Sequence, residues 1–169
     1  MILGILSDTH GNASRAAMAA GRLLDRQADA IVHCGDIGGE NVLTALVTVF
    51  DPHDIPVYCV EGNVDHGDIA LRSFPGNTVV MLLGLFGDLT LAGKRMAIAH
   101  GDDPVRLKAA VRSNEYDYVF TGHTHTREDR REGNTRVVNP GAVHRASEPG
   151  IAVLDTINDA LEFLPLLDT

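Results

Sequence analysis

An α/β fold, with a largely parallel first sheet and a second sheet of mixed or antiparallel strands, is predicted by three observations. The first half of the sequence alternates short apolar runs with helical patterns three times over. The second half breaks into short β-rich runs punctuated by Gly84, Gly87 and Gly93, as hairpins require. In both halves, run after run ends in Asp, Asn or His, residue types that bind metals.

Residues 1–6 form a short apolar run of the kind buried on both faces, and it stops in Ser7-Asp8-Thr9-His10-Gly11-Asn12. Asn12 is a cap for an alanine-rich helix to Asp25 that packs by small side chains, with Met18, Leu23 and Leu24. Residues 30–34 repeat the strand pattern and close on Gly35-Asp36. Val42, Leu43, Leu46, Val47 and Phe50 fall at helical spacing, and Asp51-Pro52 stops that helix. Residues 56–60 are the third strand, followed by Glu61-Gly62-Asn63-Val64-Asp65.

Residues 78–83, 88–92 and 95–99 are the hairpin-like runs, and the last ends in His100-Gly101. Asp103 caps a helix with Pro104 at its first position, running to about Ser113. Residues 116–120 lead into Thr121-Gly122-His123-Thr124-His125-Thr126; in extended chain the two histidines share a face and aim at one spot. Strands 127–131 and 135–138 flank Gly133-Asn134, and strands 151–154 and 161–164 flank Asn158-Asp159. All these later strands are expected in the second sheet.

With 169 residues and 44% hydrophobic composition, the chain can bury one core and is short for two, so a single domain over 1–169 is expected. A net charge of -9 disfavours a nucleic acid duplex as partner. Small anionic substrates stay open if metal ions supply positive charge. No signal peptide pattern and no span of ~20 apolar residues is present, so a cytoplasmic protein without membrane contact is expected. Cys34 and Cys59 read as small buried thiols.

The strand ends collect Asp8, His10, Asp36, Asn63, His100, His123 and His125. Seven oxygen and nitrogen donors exceed one tetrahedral zinc site but suit two divalent ions sharing a carboxylate, the arrangement that serves in-line displacement at phosphorus. The absence of thiolates points to hard or borderline metals: manganese first, with iron, nickel, zinc or magnesium as alternatives.

Asp8-x-His10, Gly35-Asp36, Gly62-Asn63, His100-Gly101 and Gly122-His123-x-His125, in this order, resemble the calcineurin-like metallophosphoesterase superfamily, specifically its small bacterial and archaeal phosphodiesterases. Asn139-Pro140-Gly141 is similar to a further family element. The resemblance implies a four-layer α/β/β/α sandwich, two mixed sheets flanked by helices. It assigns Asp8, His10 and His125 to one metal, Asn63, His100 and His123 to a second, and Asp36 as the bridge. It also implies attack on a small phosphodiester by a metal-bridging hydroxide, with Asp36, Asn63 and His100 central to catalysis. A phosphomonoesterase with the same site is the alternative, and so is a silent scaffold, since the fold is similar to a subunit of the eukaryotic retromer coat. A nuclease is disfavoured by the acidic balance.

Many relatives follow the Asn with a His that helps the leaving group, whereas this chain has Val64. His66 is a substitute or an exposed loop histidine, and Asp65 is an acceptor for a ligand histidine or a turn residue. His33 is expected in the core, and Arg127, Arg130 and Arg131 on a solvated hairpin face. The substrate, the native metal and whether the chain forms a homodimer or higher homo-oligomer stay open.

Overall fold

The computed structural model describes residues 1–75 and 79–166. Three parallel strands, β1 (Ile2–Leu6), β2 (Ala30–His33) and β3 (Val57–Cys59), alternate with α1 (Ala13–Asp25) and α2 (Glu40–Phe50). Asn12 caps α1 by accepting from the Arg15 amide at 3.0 Å. Ala16, Ala19, Ala20 and Leu23 recur at helical spacing and are the residues α1 buries. A single turn, α3 (Ile69–Arg72), follows β3, and β4 (Val80–Leu82) pairs parallel with it.

The second sheet runs in the order β5 (Gly87–Leu91), β6 (Lys94–Ile98), β7 (Tyr118–Phe120), β9 (Thr135–Pro140), β8 (Arg127–Glu132). Helix α4 (Pro104–Arg112) connects β6 to the parallel β7. Its cap is the expected one: Asp103 accepts from the amides of Val105 and Arg106 at 3.1 and 3.0 Å.

Two strand allocations differ from the sequence expectation. Residues 80–82 join the first sheet, and so does the hairpin β10 (Gly150–Asp155) and β11 (Ala160–Pro165), giving the order β11-β10-β1-β2-β3-β4. Residue 78 lies outside the described residues. Strand pattern reports burial, not partner, and β1 is apolar on both faces, so its free edge needed a covering strand. β10 supplies it antiparallel, pairing Ile2 with Asp155 and Ile5 with Ala152.

The layers follow from alternation along the strands. Leu6 and Ile31 point into a core with α1 and α2, including Leu23, Leu46 and Phe50. Leu3, Ile5 and Val32 face the other way and pack against Met96, Ile98, Phe120 and Val138 of the second sheet. Ala97, Val119 and Val137 then face Ala110 and Val111 of α4. The result is α/β/β/α, two mixed sheets flanked by helices. A polar tie joins the sheets where β10 turns into β11: Asp159 Oδ1 accepts from Arg136 Nη1 of β9 at 2.7 Å and from the Tyr118 hydroxyl of β7 at 3.1 Å.

Candidate metal centre

All seven expected residues lie in loops that leave the carboxyl ends of parallel strands. Asp8 and His10 follow β1, Asp36 follows β2, Asn63 follows β3, His100 follows β6, and His123 and His125 follow β7. Ligands gather there in open α/β sheets because the loops converge and no side chain of the sheet fills the crevice. Five of the seven, Asp8, His10, Asp36, His123 and His125, have positive φ, between 45° and 67°. A left-handed non-glycine residue costs roughly 1–3 kcal/mol, so such a concentration persists only where the surroundings hold it.

Those surroundings are mostly main chain. The Asp8 and His10 amides donate to the carbonyls of Gly35 and Asp36 at 3.0 and 2.9 Å, and the Gly122 amide to that of His100 at 2.9 Å. Val143 and His144 amides donate to the carbonyls of Ser7 and Asp8 at 3.0 and 3.1 Å, pinning the first loop from the far end of the chain. The loops also approach too closely for side chains. A Cβ on Gly62 would sit 2.2 Å from Asp36 Oδ1, and one on Gly122 would sit 2.0 Å from Ser7 Oγ. Asn139, from the Asn-Pro-Gly element, is buried and donates to the Gly122 carbonyl at 2.8 Å and to Thr124 Oγ1 at 3.0 Å, clamping the histidine loop.

Two tight groupings of donor atoms result. The ligating atoms of Asp8, His10 and His125 lie within 4.8 Å of one another, as do those of Asp8, Asp36 and His100. His10 Nε2 is 3.2 Å from His125 Nε2 and 3.7 Å from Asp36 Oδ2, while Asp8 Oδ1 is 3.1 Å from His125 Nε2. Asn63 Oδ1 and His123 Nδ1 lie 3.1 Å apart, and the His123 ring stands edge-on to His100 at 5.1 Å between centroids. The first grouping is the set the resemblance assigns to one metal. In the second, Asp8 stands with His100 and Asp36, because His123 is turned toward Asn63.

Tautomers follow from the partners on the far side of each ring. His100 Nδ1 is 2.8 Å from the Cys34 carbonyl and His125 Nδ1 is 3.0 Å from the Arg145 carbonyl. A carbonyl accepts only, so Nδ1 carries the hydrogen and each Nε2 lone pair faces the site, the orientation of a metal-ligating histidine. Asp8 Oδ1 and His100 Nε2 are buried, and each is faced by another ligating atom, His125 Nε2 at 3.1 Å from the first and Asp36 Oδ1 at 3.3 Å from the second, and not by a main-chain or non-ligand side-chain partner. Leaving such atoms only to one another is costly in a dry interior, and a divalent cation is the group this oxygen and nitrogen donor set fits.

The protonation equilibria reflect the same crowding. Burial alone would lift the Asp36 carboxyl, but His100, the Val64 amide and His10 hold it below its usual range. Burial opposes charge on His100 as well, and the Asp36 carboxylate and the Cys34 carbonyl raise it overall. His10 is lowered by burial, with Asp36 and Asp8 offsetting only part of that.

Other expected roles resolve as follows. Asp65 touches no histidine; it is fully buried and accepts from the amides of Ile37, Gly38 and Gly62 at 2.9, 2.7 and 2.8 Å, tying the Asp36 loop to the Asn63 loop. His33 is a core residue, its Nε2 3.0 Å from Thr9 Oγ1 and its Nδ1 accepting from the Gly35 amide at 3.3 Å. Arg130 pairs with Glu128 and Glu132 of its own strand, whereas Arg131 pairs with Asp159 in the turn between β10 and β11 and so reaches across to the first sheet. Arg127 Nη1 lies 3.9 Å from Glu148, and the guanidinium stands over the Phe163 ring. Cys34 and Cys59 are free and buried. The Cys34 and Arg145 carbonyls and the Val64 amide were invisible in the sequence, since main-chain groups carry no residue signature.

An α/β/β/α sandwich with carboxylates and histidines gathered where strand ends of both sheets meet defines a metal-dependent phosphoesterase. Residues 1–159 match the calcineurin-like phosphoesterase superfamily domain, and the chain belongs to that family. It is 27% identical to a phosphodiesterase of Methanocaldococcus jannaschii over 159 residues, covering 92% of this chain and 93% of the relative. A probable metallophosphoesterase of Methanothermobacter thermautotrophicus is 28% identical, covering 96% of this chain and 90% of its own length. Among solved structures, one described as a novel archaeal phosphodiesterase superposes with a TM-score of 0.85 at 26% identity, covering 98% of this chain and 100% of the other. Among the described residues no helix is long and apolar enough to cross a membrane.

Proposed function

We infer that the chain hydrolyses a small phosphodiester, with two divalent ions held by Asp8, His10, Asp36, Asn63, His100, His123 and His125. The observation that carries this reading is the convergence of buried ligating atoms on one another, Asp8 Oδ1 beside His125 Nε2 and His100 Nε2 beside Asp36 Oδ1, within one cluster. When bound, the ions supply Lewis acidity: they polarise the phosphoryl group and make water nucleophilic near neutral pH.

The protein's own part is positioning. The Val64 amide donates to Asp36 Oδ1 at 3.0 Å, fixing the carboxylate between His10 and His100. The Cys34 and Arg145 carbonyls fix the planes of His100 and His125. Asn63, exposed at the mouth of the site, offers a neutral amide to orient a phosphoryl oxygen. Similarity to named phosphodiesterases supports the diester over the monoester. Manganese leads among the metals because the donors are carboxylate, amide and imidazole without thiolate. The net charge of -9 supports a small substrate over a nucleic acid, and a cytoplasmic setting goes with it.

The test is hydrolysis of paired p-nitrophenyl diester and monoester substrates after chelation, with Mn²⁺, Mg²⁺, Zn²⁺ or Ni²⁺ restored separately. Metal-restored cleavage of the diester is expected. Preference for the monoester overturns the substrate assignment, and inactivity with every metal overturns the enzyme reading of this site.

A further inference from the structure

Beside the metal centre lies a cleft of about 120 Å³ whose wall includes His100. The His100 side chain is itself buried, so the cleft adjoins the donor cluster through the loop that carries His100. Leu85 gives it an apolar side, and His66, Asp102, Asp103 and Arg106 give it a polar one. His66 comes from the loop after β3 and Asp102 from the loop after β6, so the two loops that carry Asn63 and His100 also meet here. His66 Nε2 stands 3.6 Å from Asp102 Oδ2. Nothing in the metal centre uses this pair.

The other polar groups of the cleft are engaged elsewhere. Asp103 Oδ1 caps α4, and its Oδ2 lies 3.6 Å from Arg106 Nε. Arg106, as a guanidinium, keeps its protons throughout the ordinary pH range. His66 is the lining side chain able both to give a proton and to accept one, since an imidazole has two ring nitrogens, and 48% of its side chain is accessible to solvent. Asp102 faces it at ion-pair distance, its carboxylate turned toward the ring.

Resting on the phosphodiesterase reading, we propose that this cleft is the leaving-group subsite and that His66, oriented by Asp102, protonates the departing alcohol. As the oxygen of the attacking water bonds to phosphorus, the bond from phosphorus to the ester oxygen breaks and its electron pair stays on that oxygen. The oxygen takes the proton from the His66 imidazolium. The neutral imidazole is reprotonated from solvent, and the proton shed by the attacking water returns to solvent.

Volume and charge define the alcohol. At roughly 30 Å³ per water, the cleft holds the equivalent of about four waters, a group of about four to six heavy atoms. With His66 protonated the lining balances, Asp102 and Asp103 against His66 and Arg106, so a neutral alcohol fits and one bearing a further phosphate or carboxylate gains no net attraction.

The experiment compares the metal-loaded protein and its His66→Ala variant on two substrates: a p-nitrophenyl diester, whose leaving group needs no proton, and bis(2-hydroxyethyl) phosphate, whose leaving group does. The variant is expected to lose about 10²-fold or more in kcat on the alkyl diester, and at least about 30-fold less on the aryl one. Asp102→Asn is expected to show the same selectivity about tenfold more weakly, in kcat and not in KM. Equal losses on both substrates, or none on either, overturn the acid role while leaving the phosphodiesterase reading intact. Failure of the unaltered protein to cleave either substrate with any metal sinks both. Independently of turnover, monoethyl methylphosphonate added to the Mg²⁺-loaded protein is expected to shift the ring NMR signals of His66; an unmoved ring overturns the subsite.

Discussion

Asp8, Asp36 and His100 stand at the inner end of the centre, Asn63 and His123 at the outer end, and the two groups are held by different means. The inner residues are 0%, 3% and 1% exposed, and each is fixed by a main-chain group: the His123 amide on Asp8 Oδ2, the Val64 amide on Asp36, the Cys34 carbonyl on His100. The outer two are exposed, and their side chains meet each other. The inner end is therefore set before any ion arrives. On the proposed two-ion reading the outer end must exchange its mutual contact for an ion, and it is expected to contribute less per residue and to bind second.

The widest separation between the ends is expected in turnover. Asp36→Ala removes a carboxylate central to the inner end and should lower kcat about 10³-fold or more, several kcal/mol of charge stabilisation, with the circular dichroism spectrum unchanged. His123→Ala should cost about tenfold less and weaken only the second of two binding events in a calorimetric Mn²⁺ titration. Equal losses in the two variants would break the distinction between the ends.

A smaller effect sharpens the role of the bracing. Asp65→Ala leaves the Ile37, Gly38 and Gly62 amides without their buried acceptor, and should cost on the order of 3 kcal/mol of unfolding free energy in urea. If stability barely changes, the inner end is not held by this tie.

The smallest effect is a pH dependence beneath the inner end. Burial lowers the pKa of His33 to about 3, with the charge of His100 adding to the effect. The folded ring stays neutral while the unfolded one binds a proton below about pH 6.5, so the unfolded state holds more protons between pH 6.5 and 3. Stability from this residue is thus present above pH 6.5 and is lost as pH falls toward 3. Between pH 7 and pH 5 the metal-free protein should lose about 2 kcal/mol more than its His33→Leu variant, measured by urea unfolding at each pH. Parallel curves would show that His33 titrates alike in both states.

The donors were legible in the sequence because each is a distinctive residue type placed just after an apolar run, and the structure gathers them at the strand ends. The fold's layers were legible for the same reason: runs such as residues 1–6 and 30–34 are apolar on both faces. Partnership was not. Residues 80–82 and 150–165 read as strands, but the free edge of β1 and the register with β3 decided their sheet, and those are properties of the assembled fold. Asp65 was open between two roles and takes the cap role, accepting from the Gly62 amide of its own turn; its ties to the Ile37 and Gly38 amides had no sequence signal because that loop becomes a neighbour only on folding. Left-handed backbone at Asp8, Asp36 and His125 had no sequence signal either, since these are not glycines.

The pairing of β1 with β10 joins residue 2 to residue 155, and the Asp8 loop is pinned by amides at 143 and 144. During synthesis, at about 5–20 residues per second, the first strand would wait roughly eight to thirty seconds for the segment that completes its sheet and braces its first carboxylate. Over that interval the emerging chain holds Asp8 and His10 without the rest of the cage. The brace on the Asp8 loop is thereby deferred until residues 143–155 have emerged, and the edge of β1 stays open to pairing with another chain in the meantime.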